Sequence, residues 1–243
     1  MHIAILMANT DESAFSARHP RDGEKFRALL APLRPDWRFS VFPVKDGEFP
    51  EARDRIDGFI ITGSPASARS DEDWVLDLME LVREIVRVEI PLFGACFGHQ
   101  LIARALGGAV GDNPGAFVLG NVETDVIARP SWMVGAPPRF RIAAAHAEQV
   151  TTLPNGARVL TVSDGCLIGG FAIGNHVFTT EYHPEMTPDF IAALTEALAR
   201  KLPPEVIDRA RASLNQSADR ALFAQWIVGF FEQAASVETP SLT

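Results

Sequence analysis

Residues 90–108 read IPLFGACFGHQLIARALGG, and the organisation of the whole chain can be worked out from this segment. Ile90 to Gly94 is an apolar run, too short for a helix and with a proline near its start, which is typical of a buried strand. From Gln100 onward the apolar residues follow helical spacing, and the pattern stops at Gly107-Gly108, where a helix would end. Between the two lies a turn with one nucleophilic side chain, Cys96. The segment therefore predicts a strand, a sharp turn and a helix.

The turn has one glycine two residues before Cys96 and another two residues after it. The same pattern with serine, G-x-S-x-G, exposes a nucleophile above a sheet. A Cβ at either glycine would crowd the turn, and we expect at least one strained backbone position. The following helix points free N–H groups at the sulfur, which predicts a lowered thiol pKa. The alternative, a buried cysteine in a structural turn, fits poorly with the two glycines and the polar pair His99-Gln100.

Composition and charge limit the class of protein. The chain has 243 residues, of which 47% are hydrophobic, and this fits one large α/β domain with a substantial core. The formal net charge of −9 argues against a nucleic-acid partner. Cys96 and Cys166 suggest neither a disulfide framework nor a metal site, so we expect a reducing cytoplasm. The N-terminus lacks signal-peptide features, and no segment reaches the roughly 20 apolar residues of a membrane helix, so we expect no membrane partner.

Strands and helices alternate along the first half of the chain. Strands are predicted at 3–8, 38–44 and 56–61, and helices at 23–33 and 71–88. This order predicts a doubly wound, mostly parallel sheet with flanking helices. After Gly111 the sequence pattern changes to short runs of residues that favour strands, separated by residues that favour turns. We therefore expect a second half rich in β-hairpins.

A nucleophilic cysteine needs a base, and six histidines are available. His183 has the strongest case because Glu185, two residues later, could fix its tautomer. Pro184 biases the segment toward extended geometry, in which residues i and i+2 point the same way. His146 also follows a β-leaning run and could reach the same edge of the sheet. The order Cys96, His183, Glu185 predicts a catalytic triad.

In these motifs and their order, the chain resembles the class I glutamine amidotransferases, a family with a Cys-His-Glu triad and a flavodoxin-like α/β fold. Residues 94–100 are similar to the family's nucleophile elbow, and residues 183–185 to its C-terminal triad pair. Residues 62–65 resemble the loop that supplies the second oxyanion-hole N–H, and residues 145–150 the region usually read as S-H-x-D-x-V.

The resemblance implies hydrolysis of the side-chain amide of glutamine, or of a γ-glutamyl amide, through a thioester. Cys96 would be the nucleophile, His183 the general acid and base, and Glu185 the group that orients it. No metal and no organic cofactor are implied.

The resemblance also assigns residues that hold the substrate. The N–H groups of Phe97 and of Gly63 or Ser64 would form the oxyanion hole, each worth about 3 kcal/mol. Gln100, which in the family contacts the amino-acid end of the substrate, and His146 are assigned to substrate binding.

Three positions depart from the family pattern. Glu181 stands where the family usually has glutamine, two residues before the triad histidine. Ala145 replaces the serine before His146, and Glu148 replaces the aspartate after it. These changes bear on substrate recognition rather than on the triad. A carboxylate at Glu181 that points toward His183 would raise the pKa of that histidine.

The chain after the triad reads as helical, at 189–202, 204–214 and 219–235. We therefore predict an amidotransferase-like domain over residues 1–187, a C-terminal helical extension packed on it over residues 188–236, and a tail over residues 237–243. Phe223, Trp226, Ile227, Phe230 and Phe231 form an apolar stripe that should dock on the sheet.

Several interpretations stay open. The residues after the triad read as helices, so we expect no synthetase domain in this chain. The protein is then expected to be either an amidotransferase that passes ammonia to a synthetase or other acceptor subunit, similar to the glutaminase domain of GMP synthetase, or a γ-glutamyl peptide or amide hydrolase with water as acceptor. An alternative outside the enzymes is a non-catalytic binding or regulatory protein that retains the cysteine elbow. A cysteine-elbow protein of the stress-response and chaperone type would not need His-Pro-Glu near the end of the chain. The oligomeric state stays open, with a homodimer among the alternatives.

Overall fold

One large sheet organises the computed structural model, which describes residues 1–51, 55–115 and 117–235. The tail predicted over residues 237–243 lies outside these described residues. The strands are, in chain order, β1 (His2–Leu6), β2 (Arg38–Phe42), β3 (Gly58–Ile61), β4 (Leu92–Ala95), β5 (Ala109–Asp112), β6 (Val118–Val126), β7 (Arg139–His146), β8 (Glu148–Thr152), β9 (Ala157–Ser163), β10 (Cys166–Ile173) and β11 (Val177–Thr180).

Six α-helices are described, together with two short 3-10 helices at Ser16–Arg18 and Val44–Asp46. The α-helices are α1 (Asp22–Leu30), α2 (Asp73–Arg87), α3 (Phe97–Ala105), α4 (Pro188–Leu198), α5 (Pro204–Ser213) and α6 (Arg220–Ala235). Within the described ranges, no helix combines the length and the apolar character that a membrane span requires.

The large sheet has nine strands in the order β2-β1-β3-β4-β11-β10-β9-β6-β7. The strands from β2 to β11 pair in parallel, and the pairs from β11 to β7 are antiparallel. The predicted doubly wound sheet with a hairpin-rich second half is therefore confirmed. β5 and β8 form a separate antiparallel pair. β5 was not predicted, because this four-residue strand, AVGD, is short and weakly apolar and directly follows a glycine pair.

The parallel strands β1, β3, β4 and β11 are buried on both faces, whereas the edge strand β2 is partly exposed. In β1, Ile3 and Ile5 belong to the apolar cluster that α1 and α6 cover, whereas Ala4 and Leu6 belong to the cluster that α2 and α3 cover. This alternation follows from the two-residue period of a strand, and a helix layer on each face makes both sets apolar. Each buried large side chain contributes roughly 1.5–3 kcal/mol relative to an exposed one.

The three C-terminal helices dock on different parts of the sheet. Residues of α4 and α5 pack with β6 and β7 in a small apolar cluster that includes Leu119 and Ile191. The apolar stripe of α6 lies in the core beside the parallel strands. Phe231 shows how closely it docks: a Cβ at Gly58 would lie 2.6 Å from its ring. α4 ends at Leu198, four residues before the predicted end. The domain division at residue 187 stays a prediction.

Candidate active site

Cys96 occupies a strained position between β4 and α3. Its backbone has φ 49° and ψ −107°, a conformation that side-chain-bearing residues rarely adopt and that costs on the order of 1–3 kcal/mol. The N–H of Cys96 donates to the carbonyl of Thr180 on β11, at 2.9 Å, and the N–H of Gln100 donates to the carbonyl of Cys96 at 3.0 Å. These bonds hold Cys96 at the carboxyl end of the parallel strands, and the expected backbone strain is present at Cys96 itself.

The glycines on either side of Cys96 are needed for steric reasons. A Cβ at Gly94 would lie 2.8 Å from the carbonyl oxygen of Gly98, and a Cβ at Gly98 would lie 2.5 Å from the carbonyl oxygen of Ile61. Real Cβ atoms do not approach backbone atoms this closely, so a larger residue would force the turn open. The pattern G-x-C-x-G therefore reflects the close approach of β3, β4 and α3.

His183 and Glu185 lie together just beyond β11. His183 Nδ1 and Glu185 Oε1 are 2.7 Å apart, and both residues are buried. The N–H of His183 donates to the carbonyl of Ala143 on β7 at 2.8 Å. Arg220 on α6 donates to the carbonyl oxygens of Pro184, at 3.0 Å, and Glu185, at 3.3 Å. The pair is therefore anchored from the antiparallel part of the sheet and from the last helix.

The topology brings this pair to the cysteine. β4 and β11 are neighbours, and Ala95 is paired with Thr180, so the chain leaves both strands at the same edge. Gly63 fits between the two groups: a Cβ there would lie 2.7 Å from His183 Cε1 and 3.7 Å from Cys96 Cβ. His183 Nε2, the ring nitrogen that Glu185 leaves free, is buried and has no hydrogen-bond partner among the described residues.

Burial and neighbouring charges shift the pKa values of Cys96 and His183 in opposite directions. Burial raises the pKa of the Cys96 thiol, and the neighbouring His183 opposes that rise. The prediction of a lowered thiol pKa is therefore wrong, because the sulfur is removed from water. Burial also disfavours the charged form of His183, but the charges of Glu185 and Cys96 outweigh it and hold the pKa of His183 well above the ordinary value. The thiolate is thus favoured only together with the imidazolium.

The backbone donors predicted for an oxyanion lie beside this group. Phe97 is the first residue of α3, so its N–H has no partner within the helix. Among the described residues, no backbone carbonyl accepts from the N–H of Gly63 or Ser64. Thr62 fixes the loop by accepting from the N–H of Ala8, at 3.0 Å, and by donating to the carbonyl of Gly63, at 3.1 Å.

Gln100 and His146 meet at one carbonyl group. Gln100 Nε2 donates to the carbonyl of Glu148 at 2.9 Å, and His146 Nδ1 donates to the same oxygen, also at 2.9 Å. Burial lowers the pKa of His146 to about 4, so this ring is neutral near pH 7. Its Nε2 is then an acceptor, and it is buried without a partner in the described part of the chain.

The three residues that depart from the family pattern, Ala145, Glu148 and Glu181, make different contacts. The carbonyl oxygen of Ala145 lies 4.0 Å from Cys96 Sγ. The Glu148 carboxylate accepts from Ser67 Oγ at 2.8 Å and from Arg69 Nε at 3.0 Å, so it ties down the loop after β3.

The third departure, Glu181, contacts Gln100, with 2.7 Å between Gln100 Nε2 and Glu181 Oε1. The charges that raise the pKa of His183 are those of Glu185 and Cys96. Glu181 and His183 also interact through their charges, and this interaction opposes the rise in the pKa of Glu181, so the hypothesis that Glu181 raises the pKa of His183 stays a prediction. The contact between Gln100 and Glu181 could not be predicted from the sequence, since nothing in a linear pattern pairs positions 81 residues apart; the only signal was that Glu181 departs from the family pattern.

Within the described ranges, no group of three or more histidine, cysteine, aspartate or glutamate side chains is arranged so that it could hold a metal ion. The chemical groups assembled here are a thiol, an imidazole paired with a carboxyl, and free backbone donors. This set can form a covalent intermediate at a carbonyl carbon and transfer protons to and from it.

Comparisons with known proteins agree with this chemical interpretation of the site. The model of the glutamine amidotransferase class-I family matches residues 35–192. Gamma-glutamyl peptidase 5 of Arabidopsis thaliana is 28% identical over 235 residues, covering 92% of this chain and 91% of the relative. The glutamine-hydrolysing GMP synthase of Aeropyrum pernix is 31% identical over 136 residues, covering 56% of this chain and 25% of that protein. A glutamine amidotransferase structure from Thermotoga maritima shares the fold, with a TM-score of 0.76, 20% identity and 98% coverage of both chains.

Proposed function

The chain belongs to the class I glutamine amidotransferase family, and we propose that it hydrolyses γ-glutamyl amide bonds through a thioester on Cys96. The observation that carries the proposal is the strained cysteine at the sheet edge, next to a buried His183–Glu185 pair 2.7 Å apart. We propose Cys96, His183 and Glu185 as the catalytic residues. We also propose Phe97, with Gly63 or Ser64, as the donors to the oxyanion.

In the acylation step, the Cys96 thiolate attacks the γ-carbonyl carbon and a C–S bond forms. The carbonyl oxygen becomes an oxyanion held by backbone N–H groups, each of which contributes roughly 3 kcal/mol to the lowering of the barrier. The imidazolium of His183 gives its Nε2 proton to the amide nitrogen, the C–N bond breaks, and ammonia or an amine leaves. The raised pKa of His183 supports this role, because the ring carries the proton before the reaction begins.

In the deacylation step, the same histidine acts as a base. Neutral His183 takes a proton from water, the water oxygen attacks the thioester carbon, and the C–S bond breaks. The products are glutamate and the Cys96 thiolate, which is again paired with an imidazolium. Glu185 keeps Nδ1 protonated throughout, so Nε2 is always the nitrogen that faces the reaction.

The leaving group distinguishes two candidates. Glutamine would release ammonia, which a synthetase or other acceptor subunit could take up, whereas a γ-glutamyl peptide would release an amine with water as the only acceptor. The extent of similarity favours the peptide: the γ-glutamyl peptidase relative matches over 91% of its length, and the GMP synthase over 25% of its own. We place Gln100 and His146 at the amino-acid end of either substrate. We further propose a cytoplasmic location, since both cysteines are free.

The test is to measure ammonia, amine and glutamate release from L-glutamine, a γ-glutamyl anilide and γ-glutamyl dipeptides. We expect release from at least one of them, a glutamyl adduct on Cys96 in trapped-enzyme mass spectrometry, and loss of both in Cys96→Ala. Cys166→Ala is the matched control, because Cys166 is also buried and burial raises its pKa to about 12, and it should remain active. If the folded protein releases nothing from any compound, a binding or regulatory protein becomes the better interpretation.

A further inference from the structure

Glu181 is a fully buried carboxyl group that the chemistry above does not use. It lies just after β11 and is 0% exposed. Its Oε1 accepts from Gln100 Nε2 at 2.7 Å, and the backbone of Val150 on β8 also hydrogen-bonds to its carboxyl group. The nearest basic side chain is that of His99, whose Nε2 lies 3.6 Å from Glu181 Oε2.

His99 does not neutralise this carboxyl group. Burial lowers the pKa of His99 to about 3, so its ring is uncharged. Its Nε2 faces the carbonyl of Ile168 at 3.1 Å and therefore carries the hydrogen, while Nδ1 faces Thr179 Oγ1 at 2.8 Å. Burial of a carboxylate in such a place costs several kcal/mol and raises the pKa of Glu181 well above the ordinary value, although the charge of His183 opposes this rise. Burial therefore favours the protonated, neutral form of this carboxyl group.

The contacts of Gln100 fix which way its amide points. Both of its hydrogen-bond partners, the Glu148 carbonyl and Glu181 Oε1, accept hydrogen bonds, so both are served by the Nε2 group. No hydrogen bond within the described residues uses Gln100 Oε1. The amide therefore offers an acceptor, and not a donor, to anything bound beside it. With only one of the two anchors, the amide could rotate and present its donor side instead.

We propose that Glu181 is a positioning residue that holds the Gln100 amide so that its oxygen accepts from the α-ammonium group of a γ-glutamyl substrate. This inference rests on the proposed function. It assigns a role to the position where the chain departs from the family's usual glutamine. It also explains why a buried acid is tolerated there: the neutral form supplies the acceptor that Gln100 Nε2 needs and adds no negative charge beside the thiolate.

The test compares two chromogenic amides, γ-glutamyl-p-nitroanilide and glutaryl-p-nitroanilide, which differ in the α-amino group alone. The measured quantity is the ratio of kcat/KM for the first to kcat/KM for the second. We expect Glu181→Leu, which keeps the volume and removes the acceptor, to lower this ratio roughly tenfold, as expected for loss of one hydrogen bond to a charged group. Gln100→Ala should lower it by a similar factor, and the double variant should lower it no further. Glu181→Gln, which restores an acceptor, should recover most of the ratio.

Thr195→Ala is the matched control, because Thr195 is also fully buried and its hydroxyl donates within α4, at 2.8 Å to the carbonyl of Ile191. Its ratio should equal that of the wild type. Glu181→Ala serves as the second variant if the leucine does not fold.

Two results would overturn the positioning role: an unchanged ratio in a folded Glu181 variant, or additive effects of the Glu181 and Gln100 changes. Hydrolysis by the wild type would still support the proposed function in either case. If the proposed function itself were wrong, the wild type would cleave neither anilide, so the two failures can be distinguished.

Discussion

Two carboxyl groups flank His183, one two residues before it and the other two residues after it. Glu181 and Glu185 are almost equally buried, at 0% and 1% exposure. Glu185 lies 2.7 Å from the His183 ring, and its negative charge helps to raise the pKa of that histidine. Glu181 contacts an amide, and burial raises its own pKa well above the ordinary value. The two acids are therefore almost equally buried but differ in the partner within hydrogen-bond reach, which is an imidazole for Glu185 and an amide for Glu181.

The different partners follow from the two halves of the sheet. β4 runs parallel to β11 and leads into α3, so the chain leaving β11 passes Gln100 at the position of Glu181. Two residues later, the N–H of His183 donates to Ala143 on β7, in the antiparallel part. The site is thus assembled where the parallel strands meet the hairpins, and one short segment takes part in both.

The largest effect should come from exchanging the two acids for amides. Glu185→Gln should lower kcat by about 10³- to 10⁴-fold, because the amide can neither hold the productive tautomer nor stabilise the imidazolium. Glu181→Gln should lower kcat by less than about tenfold, because an acceptor for Gln100 remains. Steady-state kinetics on the best substrate measures both, with Glu196→Gln as an exposed control. Similar losses at positions 181 and 185 would show that the two acids have similar roles.

A smaller effect is expected when His183 is displaced without touching either acid. In Gly63→Ala the new Cβ would lie 2.7 Å from His183 Cε1, so the ring or the loop must move. We expect kcat/KM to fall by about 10²-fold, the usual order for a disturbed oxyanion donor. Gly115→Ala is the matched control, since no atom lies within 4 Å of a Cβ added there. Full activity in Gly63→Ala would place the second oxyanion donor elsewhere.

The thiol provides a third comparison of the two acids. The rate of Cys96 alkylation by iodoacetamide follows the thiolate fraction, which depends on the charge of His183. Removing the Glu185 charge lowers the pKa of His183, so the ion pair becomes less populated, and alkylation at neutral pH should slow roughly tenfold in Glu185→Gln. Glu181→Gln should change the rate far less, because burial favours the neutral form of Glu181, and a neutral amide then replaces a neutral acid. Mass spectrometry of the labelled protein across pH 5–9 gives both profiles, and equal shifts would contradict the assigned charges.

The sequence predicted most of the fold because its signals are local. The elbow, the amphipathic helix α2 and the hairpin turns each lie within one short segment, and the i, i+2 spacing of His183 and Glu185 needs no tertiary information. The bond between Gln100 and Glu181 could not be predicted, because it depends on the pairing of β4 with β11. The thiol pKa was predicted in the wrong direction for a related reason: a helix N-terminus is visible in sequence, whereas burial of the sulfur is not.

The smallest effect concerns stability and tests the charge of Glu181 directly. Its folded pKa lies above the ordinary value of 4.5, so from about that pH upward the folded state holds a proton that the unfolded state has lost. The free energy of unfolding must then fall with rising pH, by at most about 1.4 kcal/mol per pH unit, until the folded pKa is reached. Glu181→Gln has no such proton, and titrations common to both proteins cancel in the difference.

The stability advantage of Glu181→Gln over the wild type should therefore grow as the pH rises above 4.5 and until the folded pKa is reached, as measured by urea denaturation at fixed ionic strength. A difference that stays constant would mean that Glu181 is ionised in the fold. In that case Glu181 and Glu185 would differ only in their hydrogen-bond partners and not in their charge.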